Sequence, residues 1–223
     1  MLSPKTLQFL EDLKENNNRE WFLANKSYYE EYKKEYHQLI SDFLEEMVPF
    51  DDSLRNLEPK KCAFRINRDI RFSKDKSPYK THMGIWMTTD QNRSNSPGYY
   101  VHIEKGGSFI AVGLHVPEAA DLKKVRKEIA YFYEDLEEIV NDKDFKKIYP
   151  ELDRTEANSL KTAPKDYEKD HPAIEFLKLK SFTVSQKLDD KSLFEKDFVK
   201  KTAKKLITAK PLNDFLTRGL NTE

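Results

Sequence analysis

At Lys60 the spacing of apolar side chains changes from three or four residues to two, and this change limits the folds open to the chain. Before it, Leu7, Leu10 and Leu13 recur at helical spacing behind Ser3-Pro4, a good N-cap and first-turn pair, until Asn16-Asn17-Asn18 stops the run. Asn18 can cap a second helix carrying the stripe Trp21, Phe22, Tyr28, Tyr29, Tyr32, Tyr36, Leu39, Ile40, Phe43 and Met47, which Pro49 ends. Such an aromatic stripe reads as core packing.

After Lys60, Cys62, Phe64 and Ile66 alternate with Ala63, Arg65 and Asn67, and Met83, Ile85 and Met87 alternate with His82, Gly84 and Trp86. Pro97-Gly98 opens a run from Tyr99 to Glu104, and Gly106-Gly107 turns it back through Ser108 to His115, a hairpin pattern. Helical spacing returns from Pro117 to Val140. A short helical turn is expected over 144–149, a polar loop over 151–169 and a brief helix from Pro172. Phe182, Val184 and Leu188 alternate as a fifth strand, and two helices separated by Pro211 close the chain. The expected fold is α+β: a central antiparallel sheet of about five strands packed on N-terminal and C-terminal helices. It is read as one domain over 1–223, helical over 1–50, sheet over 60–116, and helices with one further strand over 117–223. If each strand turns its more apolar side to the helices, the opposite face collects Arg65, Asn67, His82, Trp86, Tyr100, His102, Glu104, Phe109 and His115. A slip of one residue would reverse any strand's contribution.

Charge is the second constraint. The 39 basic and 39 acidic residues cancel over the 223-residue chain, so attraction for a polyanion must be local. It is concentrated between residues 60 and 82, where Lys60, Lys61, Arg65, Arg68, Arg71, Lys74, Lys76 and Lys80 face only Asp69 and Asp75, leaving +6. Arg65, Arg68 and Arg71 cannot share one side of a regular strand, so a strand ending near Arg68 would let them converge, with Asp69 and Pro78 supplying turn chemistry. Guanidinium groups fork onto carboxylate or phosphate, while lysines add mobile charge. The loop is therefore read as anion-binding through Arg65, Arg68, Arg71, Lys76 and Lys80, with Tyr79, Trp86 and Tyr100 as aromatic walls. Opposed to this is a structural reading, in which Arg68, Asp69, Arg71 and Asp75 neutralise one another and the lysines are solvated.

Four segments resemble the signature segments of the family known as domain of unknown function 2461: "NNNREWF", "FRINRDIRFSKDKSPYKTHMG", "PGYYVHIEKGGSFIAVGLHVPE" and "LKTAPKDYEKDHPAIEFLKLKSF". They fall in order along nearly the whole chain. The resemblance implies an intracellular conserved hypothetical protein and carries no activity with it. Its motif positions put weight on Arg65, Arg68, Asp69, Arg71, Phe72, Asp75, Lys76, Pro78, Tyr79, Lys80, His82, Tyr100 and His102, whereas His115 stands where that family has an aromatic residue.

Other chemistry is narrowed by elimination. Six glycines at 84, 98, 106, 107, 113 and 219 write no P-loop or dinucleotide fingerprint. "GGSFI" lacks the second glycine of a nucleophile elbow, and "HIE" lacks the paired cysteines of a zinc deaminase. His82, His102, His115 and Glu104 have no metal-ligand spacing, so no metal or other cofactor is expected. Cys62, the lone cysteine, excludes an internal disulfide and suits the cytoplasm. No apolar run approaches the roughly 18 residues of a membrane span, so no membrane partner is expected. His82, His102 and Asp69 are the acid–base candidates by residue type. The basic segment from Lys161 to Phe182 reads either as a solvated loop and helix face or as a lid. The functional expectation is an anionic small-molecule site, with a nucleic-acid module stacking bases on Trp86, Tyr100 and Phe109 as the alternative, and a protein-docking domain as the third reading.

Overall fold

A computed structural model describes residues 2–88 and 95–222, with ten α-helices and one four-stranded antiparallel sheet among them. The strands lie in the order β1 (Met83–Thr88), β2 (Gly98–Ile103), β3 (Phe109–Leu114) and β4 (Phe182–Lys187). The α+β class with an antiparallel sheet is as the sequence implies, with four strands in place of about five. The missing strand is the one expected from Cys62. Pro59 opens a single helical turn there, α4 (Pro59–Cys62), and the β pairing of the following residues is confined to isolated bridges, Ala63 to Ile85 and Asn67 to Tyr79. Pro at a first helical position has no N–H to forfeit and a φ already suited to the helix.

The chain divides by contact density into two units, each discontinuous in sequence. The first comprises residues 1–87, 100–110 and 187–204. Its helices α1 (Pro4–Glu15), α2 (Arg19–Ala24) and α3 (Lys26–Met47) form as the apolar spacing requires, except that the single helix expected from Asn18 is divided at Asn25. Asn18 caps α2, its side chain accepting from the Trp21 N–H at 2.9 Å. Ser3 does not cap α1 with its own side chain. Instead the Ser3 hydroxyl donates to Glu35 at 2.6 Å, and the Ser3 N–H and Thr6 hydroxyl donate to the same carboxylate. A carboxylate at a helix N-terminus also suits the helix dipole. Phe9 is wholly buried, 4.7 Å from the Tyr32 ring and edge-on to Tyr28 at 5.1 Å; the stripe is core from Tyr32 to Met47, as expected, whereas Trp21, Phe22, Tyr28 and Tyr29 are half-buried at its margin.

The second unit comprises residues 88–99, 111–186 and 205–223. The helix expected from Pro117 to Val140 is two, α5 (Ala119–Tyr131) and α6 (Tyr133–Asn141), broken at Phe132. They are followed by α7 (Lys143–Ile148) and α8 (Ile174–Leu177). Toward the C-terminus come α9 (Phe198–Thr208) and α10 (Lys210–Asn221), with Pro211 in the first turn of the latter. Glu128 on α5 is buried and receives the Arg218 guanidinium of α10, which also reaches Asp135 at 2.7 Å. The segment expected to be a loop or lid is tied back within this unit. Ser159 bridges Leu179, Lys180 Nζ donates to the Ala157 carbonyl at 2.8 Å, and Lys178 pairs with Glu175. Gly113 is required where it stands: at φ +126° a Cβ would lie 2.1 Å from the Phe182 carbonyl oxygen of the adjacent strand.

Candidate functional site

The alternation of the strands places Trp86, Tyr100, His102 and Phe109 at half-buried positions, while Ile85, Met87, Val101, Ile103 and Ile110 are buried. His82, immediately before β1, lies with its ring 4.5 Å from that of His102, nearly parallel, and His102 stacks in turn on Phe109 at 4.8 Å. Along β2, residues two apart share a face, so Tyr100, His102 and Glu104 stand in a row. Tyr100 Oη lies 2.9 Å from His102 Nδ1, and His102 Nε2 lies 3.3 Å from Glu104 Oε2. An ionised carboxylate only accepts, so Nε2 carries the hydrogen toward Glu104 and neutral His102 accepts from the Tyr100 hydroxyl at Nδ1. Burial pushes the Tyr100 phenol up to about 12, which keeps it a donor. Glu104 is fixed by the turn that follows it, the Ser108 hydroxyl donating to its carbonyl at 2.8 Å, and Lys14 of α1 stands 3.6 Å from its carboxylate.

Phe64 departs from its expected side. It is 42% exposed and lies over Gly84 and Tyr100 on the polar face, where a Cβ on Gly84 would come within 2.7 Å of its ring. The Tyr36 hydroxyl of α3 pins this packing: it accepts from the Phe64 N–H at 3.0 Å and donates to the Gly84 carbonyl. Burial raises the Tyr36 phenol far above its ordinary range.

Between α3 and the 60–67 segment a cleft of about 430 Å³ opens, lined by Tyr29, Tyr32, Lys33, Tyr36, His37, Lys60, Ala63, Phe64, Arg65, Ile66, Asn67 and His82. That volume lies in the usual range for small-molecule sites. Its wall holds three cations and two histidines and no carboxylate. Lys33 has only a loose contact with Glu30 at 3.9 Å, and among the described residues no carboxylate forms an ion pair with Lys60 or Arg65. Burial, then Lys33 and Lys60, lower the His37 pKa. Burial, then His102, Lys80 and Arg68, lower that of His82 against the opposing pull of Glu104. Lys80 is itself pulled down, by burial and then by Arg65.

The cationic loop itself is arranged differently from the convergence its arginines suggest. Arg68 meets Asp75 at 2.5 Å and the Ser77 carbonyl at 3.0 Å; Arg71 forks onto Asp69 at 3.0 and 2.7 Å. Asp75 is held well below the usual carboxylate range, first by hydrogen bonds from Ser77 and then by Arg68; Arg71 likewise lowers Asp69. Asp69 is therefore an exposed, paired carboxylate within the loop. Lys76 Nζ caps the Ile70 carbonyl at 2.9 Å, and Lys80 Nζ donates to the Arg65 carbonyl at 2.9 Å while lying 5.2 Å from the Phe64 ring centre. Tyr79 is buried, stacked on Phe22 at 4.2 Å, with its backbone paired to the Asn17 side chain at 2.9 and 3.0 Å. Asn17 makes the two hydrogen bonds that a neighbouring strand would make.

Of the residues singled out in the sequence, the structure brings His82, Trp86, Tyr100 and His102 onto one face and places Arg65 in the cleft beside His82. Arg68, Arg71, Asp69 and Lys76 are held within their own loop, Tyr79 is packed at its base, and His115 is exposed beyond β3. Sequence reasoning missed Lys33, His37 and the hydroxyl of Tyr36, and counted Lys60 in the basic cluster without placing it among the anion holders. The signal available was the row Tyr29, Lys33, His37, four residues apart on one side of a long helix.

Among the described residues no cluster of three metal-ligating side chains occurs, and no helix is long and apolar enough to cross a membrane. No curated protein and no solved structure shows a significant match to the chain. The family model described as conserved hypothetical protein DUF2461 matches residues 5–215, a span that contains every residue of the cleft: the chain belongs to the DUF2461 family.

Proposed function

We propose that the cleft beside α3 binds a small phosphate- or carboxylate-bearing molecule. The observation that carries this reading is the composition of its wall: Lys33, Lys60 and Arg65 with no carboxylate among them, against the aromatic sides Tyr29, Tyr36 and Phe64. Burial, and after it neighbouring positive groups, lowers His37 and His82, and a bound anion would offset the second of these. Arg65 and Lys80 are the members of the basic loop that take part, Arg65 as an anion holder and Lys80 by bracing the Arg65 backbone. The remaining cations of the loop shape and rigidify it.

Each partly exposed cation contributes about 0–1 kcal/mol to an anion contact, so inorganic phosphate should bind at roughly millimolar strength and a larger organic anion more tightly. At ten times its dissociation constant a ligand stabilises the folded state by about 1.4 kcal/mol, a rise of roughly 3–6 °C in melting temperature. Thermal melts and calorimetry with phosphate, pyrophosphate and citrate test this. The expected result is a saturable gain that Lys60→Ala and Arg65→Ala remove and Arg71→Ala leaves. No gain from any of the three anions rules the reading out.

The nucleic-acid alternative keeps one feature of its own: Phe72 is 95% exposed at the loop tip, with the Arg71 guanidinium 5.8 Å from its ring centre. A base stacking there would be lost with Phe72→Ala, and binding would weaken steeply with salt. Mobility shifts of a single-stranded oligonucleotide at two salt concentrations separate this from the small-anion site.

A further inference from the structure

The wall of the cleft supplies cations, phenols, an amide and imidazoles, and it presents no carboxylate, serine or thiol. Cys62, next to it in sequence, is wholly buried, and burial holds its thiol at about 11. The chemistry such a wall can offer a bound anion includes proton transfer and neutralisation of developing negative charge, without a carboxylate, serine or thiol nucleophile. Of its side chains only His37 and His82 change protonation near neutrality.

The two histidines differ in what stands behind them. His37 lies on α3 with only its neighbour Tyr36 in ring contact. His82 makes no hydrogen bond to protein through its ring among the described residues, so its nitrogens are free for a ligand, and its face rests on His102. His102 is only 12% exposed and is held at both nitrogens, by the Tyr100 hydroxyl and by Glu104. With Nε2 turned to Glu104 and Nδ1 to the Tyr100 hydroxyl, His102 has no nitrogen left for a ligand. His82 is thereby the member open to the cleft and backed by a fixed array, and burial, then His102, disfavours its charged form. The charged and titratable groups facing this pair are His102 and Glu104 from β2, Lys80 and Arg68 from the loop, and Lys14 from α1 through Glu104.

We propose that His82 is a catalytic base and acid for proton transfer at carbon, acting on a small carbonyl-bearing carboxylate or phosphate held in the cleft, with Tyr100, His102 and Glu104 as positioning residues. The proposal rests on the anion-binding reading above. In the step, a free ring nitrogen of His82 removes a proton from the carbon next to the substrate carbonyl. The C–H electron pair forms a carbon–carbon double bond, the carbonyl π pair moves onto its oxygen, and the enolate charge is neutralised by the cations of the wall. The imidazolium then returns its proton to the same or the neighbouring carbon. Atoms and charge balance without an oxidant, a reductant or a second substrate, and the reaction class is enolisation, seen as hydrogen exchange or isomerisation.

The test follows deuterium incorporation by proton NMR with the full chain in heavy water, using pyruvate, 2-oxoglutarate and dihydroxyacetone phosphate as probes, alongside phosphate binding by calorimetry. Exchange into at least one probe above the buffer rate is expected, falling at least ~100-fold in His82→Gln, the scale of a lost general base. In His102→Gln and Glu104→Gln the acidic limb of the pH–rate profile should move while phosphate still binds, an effect that a merely structural role would not produce. If phosphate binds and no probe exchanges, or if exchange survives in His82→Gln, the catalytic assignment is overturned and the binding site stands. If phosphate fails to bind, both fall.

Discussion

Tyr36→Phe removes one oxygen atom and nothing else, and the structure assigns that oxygen two partners. It accepts from the Phe64 N–H at 3.0 Å and donates to the Gly84 carbonyl, joining α3 to the cleft wall and to β1. Losing the hydroxyl leaves the Gly84 carbonyl without its strongest donor, although the Phe64 N–H still reaches that oxygen at 3.3 Å. An unsatisfied buried group costs about 1–3 kcal/mol, and the surviving bond places the expected loss at the lower end, about 1–2 kcal/mol. For a chain of this size that is a fall of roughly 2–8 °C in melting temperature. Denaturant and thermal unfolding followed by circular dichroism measure it directly. Because Phe64 loses its anchor, phosphate affinity should fall in the same variant. A midpoint unchanged within error would refute the reasoning, since it would mean that the hydroxyl is equally well satisfied by solvent.

Other outcomes follow from the same physical terms. Arg218→Ala strips the buried Glu128 of its guanidinium and should cost about 1–3 kcal/mol, with Glu128→Gln in the same chain recovering part of it; equal stability of both variants would contradict the assignment. His37 and His82 both have pKa values lowered by folding, so the folded state binds fewer protons than the unfolded one. Their contribution is intact above the ordinary histidine value of about 6.5 and is lost as pH falls below it; a His37→Gln, His82→Gln double variant should flatten that slope in urea titrations. Sulfate keeps its charge over this range, so its stabilising effect should grow between neutral and mildly acidic pH in the wild type and not in the double variant. Cys62 should resist thiol reagents in the native protein and react only on denaturation, which a colorimetric thiol assay reads.

Much of the architecture is legible in residue spacing. The stripe from Tyr32 to Met47, the Gly106-Gly107 hairpin and the alternation that places Tyr100 and His102 on one face all follow from periods of 3.6 and 2. What spacing does not carry is the choice between weak local alternatives. Cys62, Phe64 and Ile66 alternate like a strand, but Pro59 starts a helical turn, and Phe64 turns to the polar face because Gly84 leaves room for a ring there. The loop arginines illustrate the same limit for the site. Their three-residue spacing is compatible with convergence, yet two of the three have a carboxylate close in sequence, Asp69 for Arg71 and Asp75 for Arg68, and for those the shorter closure wins. Lys33, His37 and Lys60 join Arg65 only through tertiary packing of α3 against the 60–67 segment, which a single sequence does not reveal.

The central claim is that positive potential without a resident carboxylate makes the α3 cleft an anion site. Backbone amide NMR of the full chain during a phosphate titration reads it most directly. Saturable shifts are predicted at Lys33, His37, Lys60 and from Phe64 to Asn67, disappearing in Arg65→Ala. Shifts confined to the loop from Arg68 to Ser77, or none that saturate, would contradict it.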